Sequence, residues 1–336
     1  MSVSLSVQGT EGELTLDVRV DLPPGVTGVL GANGSGKTTL LQAIAGLVKT
    51  EGDIVVDGTV FQDATTFLPP EQRRVGLVFD DLRLFSHLSV RRNVRFGATG
   101  PLHEVIALLQ LHDLLDRRVP SLTHEEKQRV AVARALAMRP RLLALDEGLT
   151  RGGEVVPWLR DVVRQAAVPT LLVSSTPTNL LPFTHHLLVL KKGRVVSQGD
   201  VATLVSDPLA LPVLHRLGLA NVFRVTGLRS DRDCLWAQTA DLELCLPEAP
   251  GPHVRHVALR PSDVLLANGP IPVSTARNVL AGTVRDITGL PDRTMVLLDV
   301  GVPLIVEVTS SAVTDLGLRI GQSVTALIQP GAFRWL

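Results

Sequence analysis

The sequence predicts an α/β chain: a phosphate-binding strand–loop–helix domain followed by a smaller, strand-rich domain. Three observations carry that prediction. Gly31-Ala32-Asn33-Gly34-Ser35-Gly36-Lys37-Thr38 fits the phosphate-loop pattern G-x-x-x-x-G-K-[ST]. An apolar run, 141–145, ends in the carboxylates Asp146 and Glu147. After about residue 222 the texture changes to short alternating segments broken by Gly, Pro and Asp, the mark of a small barrel or sandwich.

The phosphate loop has the flanks that its chemistry requires. Residues 25–30 read as a short buried strand and 39–45 as a helix. The glycines let backbone N–H groups converge on phosphate oxygens, and the helix N-terminus adds the positive end of a dipole. Gly31, Ala32, Asn33, Gly34, Ser35, Gly36, Lys37, Thr38 and Thr39 are therefore the expected contacts to a nucleotide triphosphate. Lys37 is expected to reach the β- and γ-phosphates, and the Thr38 hydroxyl to ligate Mg²⁺. A chance glycine-rich turn is the bland alternative, and it leaves both flanking elements without a reason.

Composition narrows the remaining classes. Of 336 residues 45% are apolar, enough for a proper core in two or three domains. The formal net charge is zero and aromatics are 3%, so nothing points to nucleic acid as a partner. Cys234 and Cys245 match no zinc or redox spacing and are expected as reduced core or strand residues. No apolar run approaches the ~18–20 residues of a membrane span. The first residues lack a charged n-region, so no signal peptide is expected. Any membrane association is expected to come through a partner.

Taken in order, residues 3–21 alternate apolar and polar as half-exposed antiparallel strands. They hold no aromatic; the first in the chain is Phe61, so stacking on a base is expected to be weak. Residues 52–60 read as a hairpin arm, 69–74 as a polar loop, and 75–79 as a buried strand ending at Asp80-Asp81. The run from Leu82 to Val94 then reads L-R-L-F-S-H-L-S-V-R-R-N-V. This resembles the glutamine loop of ATP-binding-cassette (ABC) importer ATPases, with Asp80 in place of the glutamine. Residues 103–116 have helical spacing and resemble the small helical subdomain of such cassettes. Ser121 to Leu136 resembles the ABC signature and its helix, closely from Glu126 on. Thr123, His124 and Glu125 occupy the family's Ser-Gly-Gly positions. Thr123 and Glu126 also spell a T-x-x-E capping box.

By that resemblance Asp146 holds Mg²⁺ and Glu147 polarises the attacking water. Asp80 keeps a Mg²⁺-compatible oxygen. The loop 148–153 departs from the family, and Ser175, after the strand 170–174, stands where a switch histidine is expected. His185 and His186 are expected to be structural or solvated. Residues 191–195 read as a hairpin closing the cassette, and 199–215 as a helical tail. Ser274-Thr275-Ala276-Arg277-Asn278 resembles the start of a Mop (TOBE-like) domain, an OB-like β module. There Thr275 and Arg277 are the expected oxyanion contacts. The resemblance thus implies a RecA-like cassette with a helical subdomain over 1–222, a linker and β segment over 223–273, and a Mop-like domain over 274–336.

A cassette followed by such a domain resembles the ATPase subunit of a molybdate importer. The resemblance implies ATP and Mg²⁺ as cofactors and integral-membrane permease subunits as partners, contacted around residues 80–96. It also implies a second copy or a related cassette in a dimer, an extracytoplasmic molybdate-binding protein acting indirectly, and a place on the cytoplasmic face of the membrane. Two further readings stay open at this point. One is a nucleotide-binding regulatory subunit impaired in hydrolysis by its four altered loops. The other is the ATPase of a sulfate, iron or sugar importer.

Overall fold

The computed structural model describes residues 3–11, 14–149, 157–184, 186–204, 207, 209–210, 213–214, 221–231, 234–239, 242–248, 256–269, 274–289 and 293–335. The chain divides into two compact units, Met1–Asp200 and Val201–Leu336. The division falls at Asp200, earlier than the 222 expected from the change of texture. Residues 223–273 are not a linker apart from the last domain. Phe223, Leu244, Val257 and Leu259 share one core with Val284, Val296, Leu304 and Phe333.

The first unit is built on one ten-stranded sheet. Its strands are β1 (Val3–Glu11), β2 (Leu14–Leu22), β3 (Val26–Leu30), β4 (Glu51–Val56), β5 (Thr59–Gln62), β6 (Val75–Val78), β7 (Leu142–Leu145), β8 (Thr170–Ser174), β9 (His186–Lys191) and β10 (Arg194–Asp200). They lie in the order β5-β4-β1-β2-β10-β9-β3-β8-β7-β6. The β1–β2 hairpin is antiparallel, with Val3 opposite Leu22 and Val7 opposite Val18, and its alternation buries one face. The stretch β9-β3-β8-β7-β6 is parallel. There the strands are apolar on both faces: Leu142 to Leu145 are all fully buried.

The helices are α1 (Lys37–Ala45), α2 (Pro70–Arg73), α3 (Val90–Arg95), α4 (His103–Leu108), α5 (His124–Ala137) and α6 (Pro157–Ala166). Helix α1 buries Leu40, Leu41 and Ile44 against the sheet, each worth about 1.5–3 kcal/mol when fully covered. The expected polar loop at 69–74 contains α2, and the expected helix over 103–116 is interrupted. It leaves the α region at Gln110, which has φ +54°, and resumes as a single 3₁₀ turn, His112–Leu114. No described helix is long and apolar enough to cross a membrane.

The second unit is strand-rich. A five-stranded antiparallel sheet is centred on the long strand Asn278–Gly289, which pairs with Ser323–Ile328 on one side and Thr294–Asp299 on the other. Two three-stranded sheets accompany it. One of them joins Gly227–Asp231, Cys234–Gln238 and Glu243–Leu246.

Candidate functional site

Strand order alone assembles the site. In β3-β8-β7-β6 every strand is parallel to its neighbour, so all four C-terminal ends lie along one edge, where α/β sheets bind ligands. The phosphate loop follows β3, Ser175 follows β8, Asp146 follows β7, and Asp80 lies just beyond β6. Residues from four distant stretches therefore share one crevice rim.

The loop itself is shaped for an anion. Gly36 lies at φ +100°, a backbone that L side chains rarely adopt. A Cβ on Gly31 would collide with Ser35 Oγ and with Leu190 O at 2.6 Å. Ser35 Oγ is buried and has no hydrogen-bond partner among the described residues. No side chain caps α1 at its N-terminus and no acid sits in its first turn, so its leading N–H groups face the loop with their dipole uncompensated.

Lys37 is buried, at 6% exposure, and its ammonium is held in place. Nζ donates to Gly31 O at 2.8 Å and Ala32 O at 3.0 Å, and lies 3.3 Å from Glu147 Oε1. Thr38 Oγ1 donates to Asp146 Oδ2 at 2.9 Å, and the Glu147 amide donates to Asp146 Oδ1 at 2.9 Å. Burial pushes the Asp146 carboxyl above the usual range. The hydrogen bonds from Glu147 and Thr38 pull it down, while the charges of Glu147 and Asp80 push it further up. This corner thus gathers more negative charge than it neutralises. Among the described residues no group of three or more His, Cys, Asp or Glu side chains closes as a metal cage. The donor set instead suits a hard cation that takes one hydroxyl and one carboxylate and draws its remaining ligands from phosphate and water.

Of the altered family positions, Asp80 and Ser175 lie on that rim, while Thr123, His124 and Glu125 stand at the start of α5. Ser175 is half-buried at the mouth of β8. Thr123 caps α5 with the complete capping box that the sequence spelled: the Glu126 amide donates to Thr123 Oγ1 at 3.2 Å and the Thr123 amide to Glu126 Oε2 at 2.7 Å. None of the polar contacts described for residues 123–126 reaches the phosphate loop. Glu125 turns to its own helix, 2.6 Å from Arg129 Nη2, and Arg129 is further tied to Gln110 and lies over the Trp158 ring. His124 meets Gln128 at 3.2 Å. Of the loop 148–153, residues 150–153 lie outside the described residues, as does His185.

Several working residues gave no signal in the sequence. Arg73, in the expected polar loop, is fully buried. It donates to Leu68 O, Ala43 O and Ile44 O, so a guanidinium closes the C-terminus of α1. Leu82 and Arg83 both have positive φ, and Arg134 holds that turn through Arg83 O at 2.7 Å and Leu82 O at 3.1 Å. Asn93 is fully buried and clamps Phe85 from both sides, accepting from its amide and donating to its carbonyl. Beside this turn lies an apolar groove lined by Leu47, Leu77, Phe85, Phe96, Arg83 and Arg134, with Phe96 60% exposed. Phe85 and Leu88 are half-buried.

In the second unit Thr275 and Arg277 part company. Thr275 lines a shallow concavity with Ser274, Gln329 and Arg334, and its Oγ1 accepts from Gln329 Nε2 at 3.3 Å. Arg277 is exposed and does not line it; its charge acts on Cys245 instead. Asn278 is structural: it is buried and bonded to the Cys245 backbone at 2.7 and 2.9 Å.

Residues 16–150 match the family described as ABC transporter, and residues 274–333 match the TOBE domain. The chain is 37% identical to the molybdenum import ATP-binding protein ModC of Thiobacillus denitrificans over 338 residues, spanning 94% of this chain and 92% of that protein. It is 35% identical to the protein of the same name from Paramagnetospirillum magneticum over 356 residues, spanning 97% and 96%. Among solved structures, a nucleotide-free ATP-binding cassette from an ABC transporter is similar with a TM-score of 0.53 at 20% identity, covering 63% of this chain and 97% of that one. The chain belongs to the ATP-binding subunits of the ABC transporter family, with a TOBE domain at its C-terminal end.

Proposed function

We propose that this chain hydrolyses ATP to drive molybdate, or a closely related oxyanion, through a membrane permease. The observation that carries the reading is the single corner where Lys37, Thr38, Asp146 and Glu147 meet at the N-terminus of α1. Residues Gly31 to Thr39 bind the phosphates, and Lys37 exchanges its carbonyl contacts for β- and γ-phosphate oxygens. Thr38 and Asp146, with Asp80 beside them, would hold Mg²⁺, which supplies neutralisation of the phosphate charge. Glu147 orients the attacking water and takes its proton at a carboxylate oxygen, the role of a general base.

The cargo follows from the named relatives, which align along nearly the whole chain. Thr275 in its concavity, with Arg277 nearby in sequence, is the oxyanion-binding candidate of the TOBE domain. The groove at Leu47, Phe85 and Phe96 is lined by two arginines and no carboxylate, which suits an amphipathic helix bearing an acid on a permease subunit. A second cassette completes the dimer. An extracytoplasmic molybdate-binding protein acts through the permease, and the chain sits on the cytoplasmic face of the membrane.

The test is phosphate release and molybdate uptake by the assembled transporter in vesicles, with sulfate as the competing cargo. Uptake of molybdate that stops in Glu147→Gln supports the reading. Sulfate uptake in its place overturns the cargo. A second reading, nucleotide binding without turnover, is favoured by Glu125, His124 and Ser175. It predicts that phosphate release in the wild-type assembly stays at the Glu147→Gln background.

A further inference from the structure

The two cysteines of this chain lie far from the phosphate loop in sequence, and no step of ATP hydrolysis uses them. They sit in the second unit on adjacent antiparallel strands, Cys234–Gln238 and Glu243–Leu246. Trp236 lies directly opposite Cys245, and Leu235 opposite Leu246. Cys234 is two residues before Trp236, so the pleat puts both thiols on the same face as diagonal neighbours. Both are free, and Cys234 acts electrostatically on Cys245. Their surroundings differ. Cys245 is buried at 1% exposure, whereas Cys234 is half-exposed at the strand end beside the hairpin.

We propose that Cys234 and Cys245 form a reversible intramolecular disulfide, a redox modification site in the second unit. The Cys245 backbone is immobilised, because Asn278 holds both its N–H and its C=O. Movement therefore falls to Cys234, whose strand ends there. Diagonal neighbours stand about 7–8 Å apart at Cα, while a relaxed disulfide needs roughly 4.4–6.8 Å. An ångström or so of strand shear closes the gap, and a bridge formed under strain is of the readily reduced kind. The Cys245 thiol is pushed up to about 12, first by burial and then by its Cys234 neighbour. The proton thus stays on Cys245, and the more exposed Cys234 sulfur is the atom that an oxidant meets. With a peroxide as oxidant, Cys234 sulfur attacks and breaks the O–O bond, giving a sulfenic acid and one water. Cys245 sulfur then displaces the sulfenic oxygen, the S–S bond forms, and a second water leaves. Both thiol hydrogens end in water; the two sulfurs are oxidised and the peroxide is reduced.

The experiment treats the reduced full-length chain with hydrogen peroxide and titrates thiols under denaturing conditions. The expected result is a fall from two titratable thiols per chain to none. A proteolytic peptide pair joining Cys234 to Cys245 should appear, and dithiothreitol should restore both thiols. Cys234→Ser should keep its single thiol through the same treatment, because Cys245 is shielded and has lost its partner. The proposal is overturned if the wild-type chain keeps both thiols at a peroxide dose that consumes an exposed cysteine on a control peptide. It is equally overturned if the bridges join separate chains, or if Cys234 stops at the sulfenic acid.

Discussion

Two helix N-termini in the first unit are built in opposite ways. Helix α1 opens with no side-chain cap and no acid in its first turn, directly behind a loop of glycines. Helix α5 opens with a complete capping box and with Glu125 and Glu126 in its first turn. At α1 the leading N–H groups and the dipole are left for a ligand. At α5 the chain uses them itself, and two carboxylates offset the dipole. The family resemblance assigns phosphate contacts to both ends. In this chain one is kept open to anions, and the other has become a self-satisfied structural start. Nucleotide binding within one cassette and closure of two cassettes over nucleotide should therefore respond separately to mutation.

The largest effect should come from the open end. Lys37→Ala removes a buried ammonium with three described contacts, and its charge-assisted bonds to phosphate are worth about 1.5–3 kcal/mol each. Mg-ATP affinity measured by calorimetry should fall about 100-fold or more, while thermal unfolding stays cooperative. Equal affinity in both proteins would remove the phosphate loop from the account.

Helix α1 is also unusual at its other end, where Arg73 is the closing group. Arg73→Met keeps the volume and deletes three donated bonds to Leu68, Ala43 and Ile44. Denaturant unfolding of the first unit should show a loss of about 2 kcal/mol, since the Ile44 carbonyl is left buried without its donor while Ala43 O keeps the Gly46 amide. A loss below about 0.5 kcal/mol would mean that the α1 scaffold does not depend on this guanidinium.

A smaller effect separates the capped end. Thr123→Ala should cost about 1 kcal/mol of stability and leave ATP affinity unchanged. The Glu126 carboxyl is held below its ordinary 4.5, chiefly by the Thr123 amide. A depressed carboxyl stabilises the fold above its unfolded value. Glu126→Gln, which deletes the carboxylate that the residue-123 amide holds, should therefore cost stability fully at pH 6 and progressively less as pH falls below about 4.5. A Glu126→Gln penalty independent of pH would mean that the carboxylate charge contributes nothing to the cap.

Legibility followed range. The phosphate loop, the two carboxylates after β7 and the capping box were readable because each is a contiguous pattern whose chemistry needs no distant partner. The edge that gathers Asp80, Asp146 and Ser175 beside the loop depends on strand order, which is set by pairing between distant strands. Arg73 looked like one more charge in a polar loop, and only the carbonyls at the end of α1 explain its burial. Glu125 is, in the sequence, a carboxylate at a position the family gives to glycine, and the folded helix brings Arg129 to it across one turn. That ion pair reduces the repulsion a carboxylate would exert on phosphate: an unpaired charge at about 4 Å would cost roughly 4 kcal/mol at an effective dielectric near 20. The division at Asp200 was hidden for a related reason. Phe223 and Leu244 belong to a core whose other half lies beyond residue 280.

The central claim is that the α5 end resists closure while the α1 end binds nucleotide normally. The most direct measurement is sedimentation with Mg-ATP, paired with phosphate release, on the wild-type cassette and the variant His124→Gly with Glu125→Gly. The account predicts equal ATP affinity for single chains. It also predicts dimerisation about tenfold tighter in the variant, the residue of a repulsion that Arg129 only partly offsets, with hydrolysis rising alongside. Wild-type chains that already dimerise as tightly and hydrolyse as fast as the variant would contradict it.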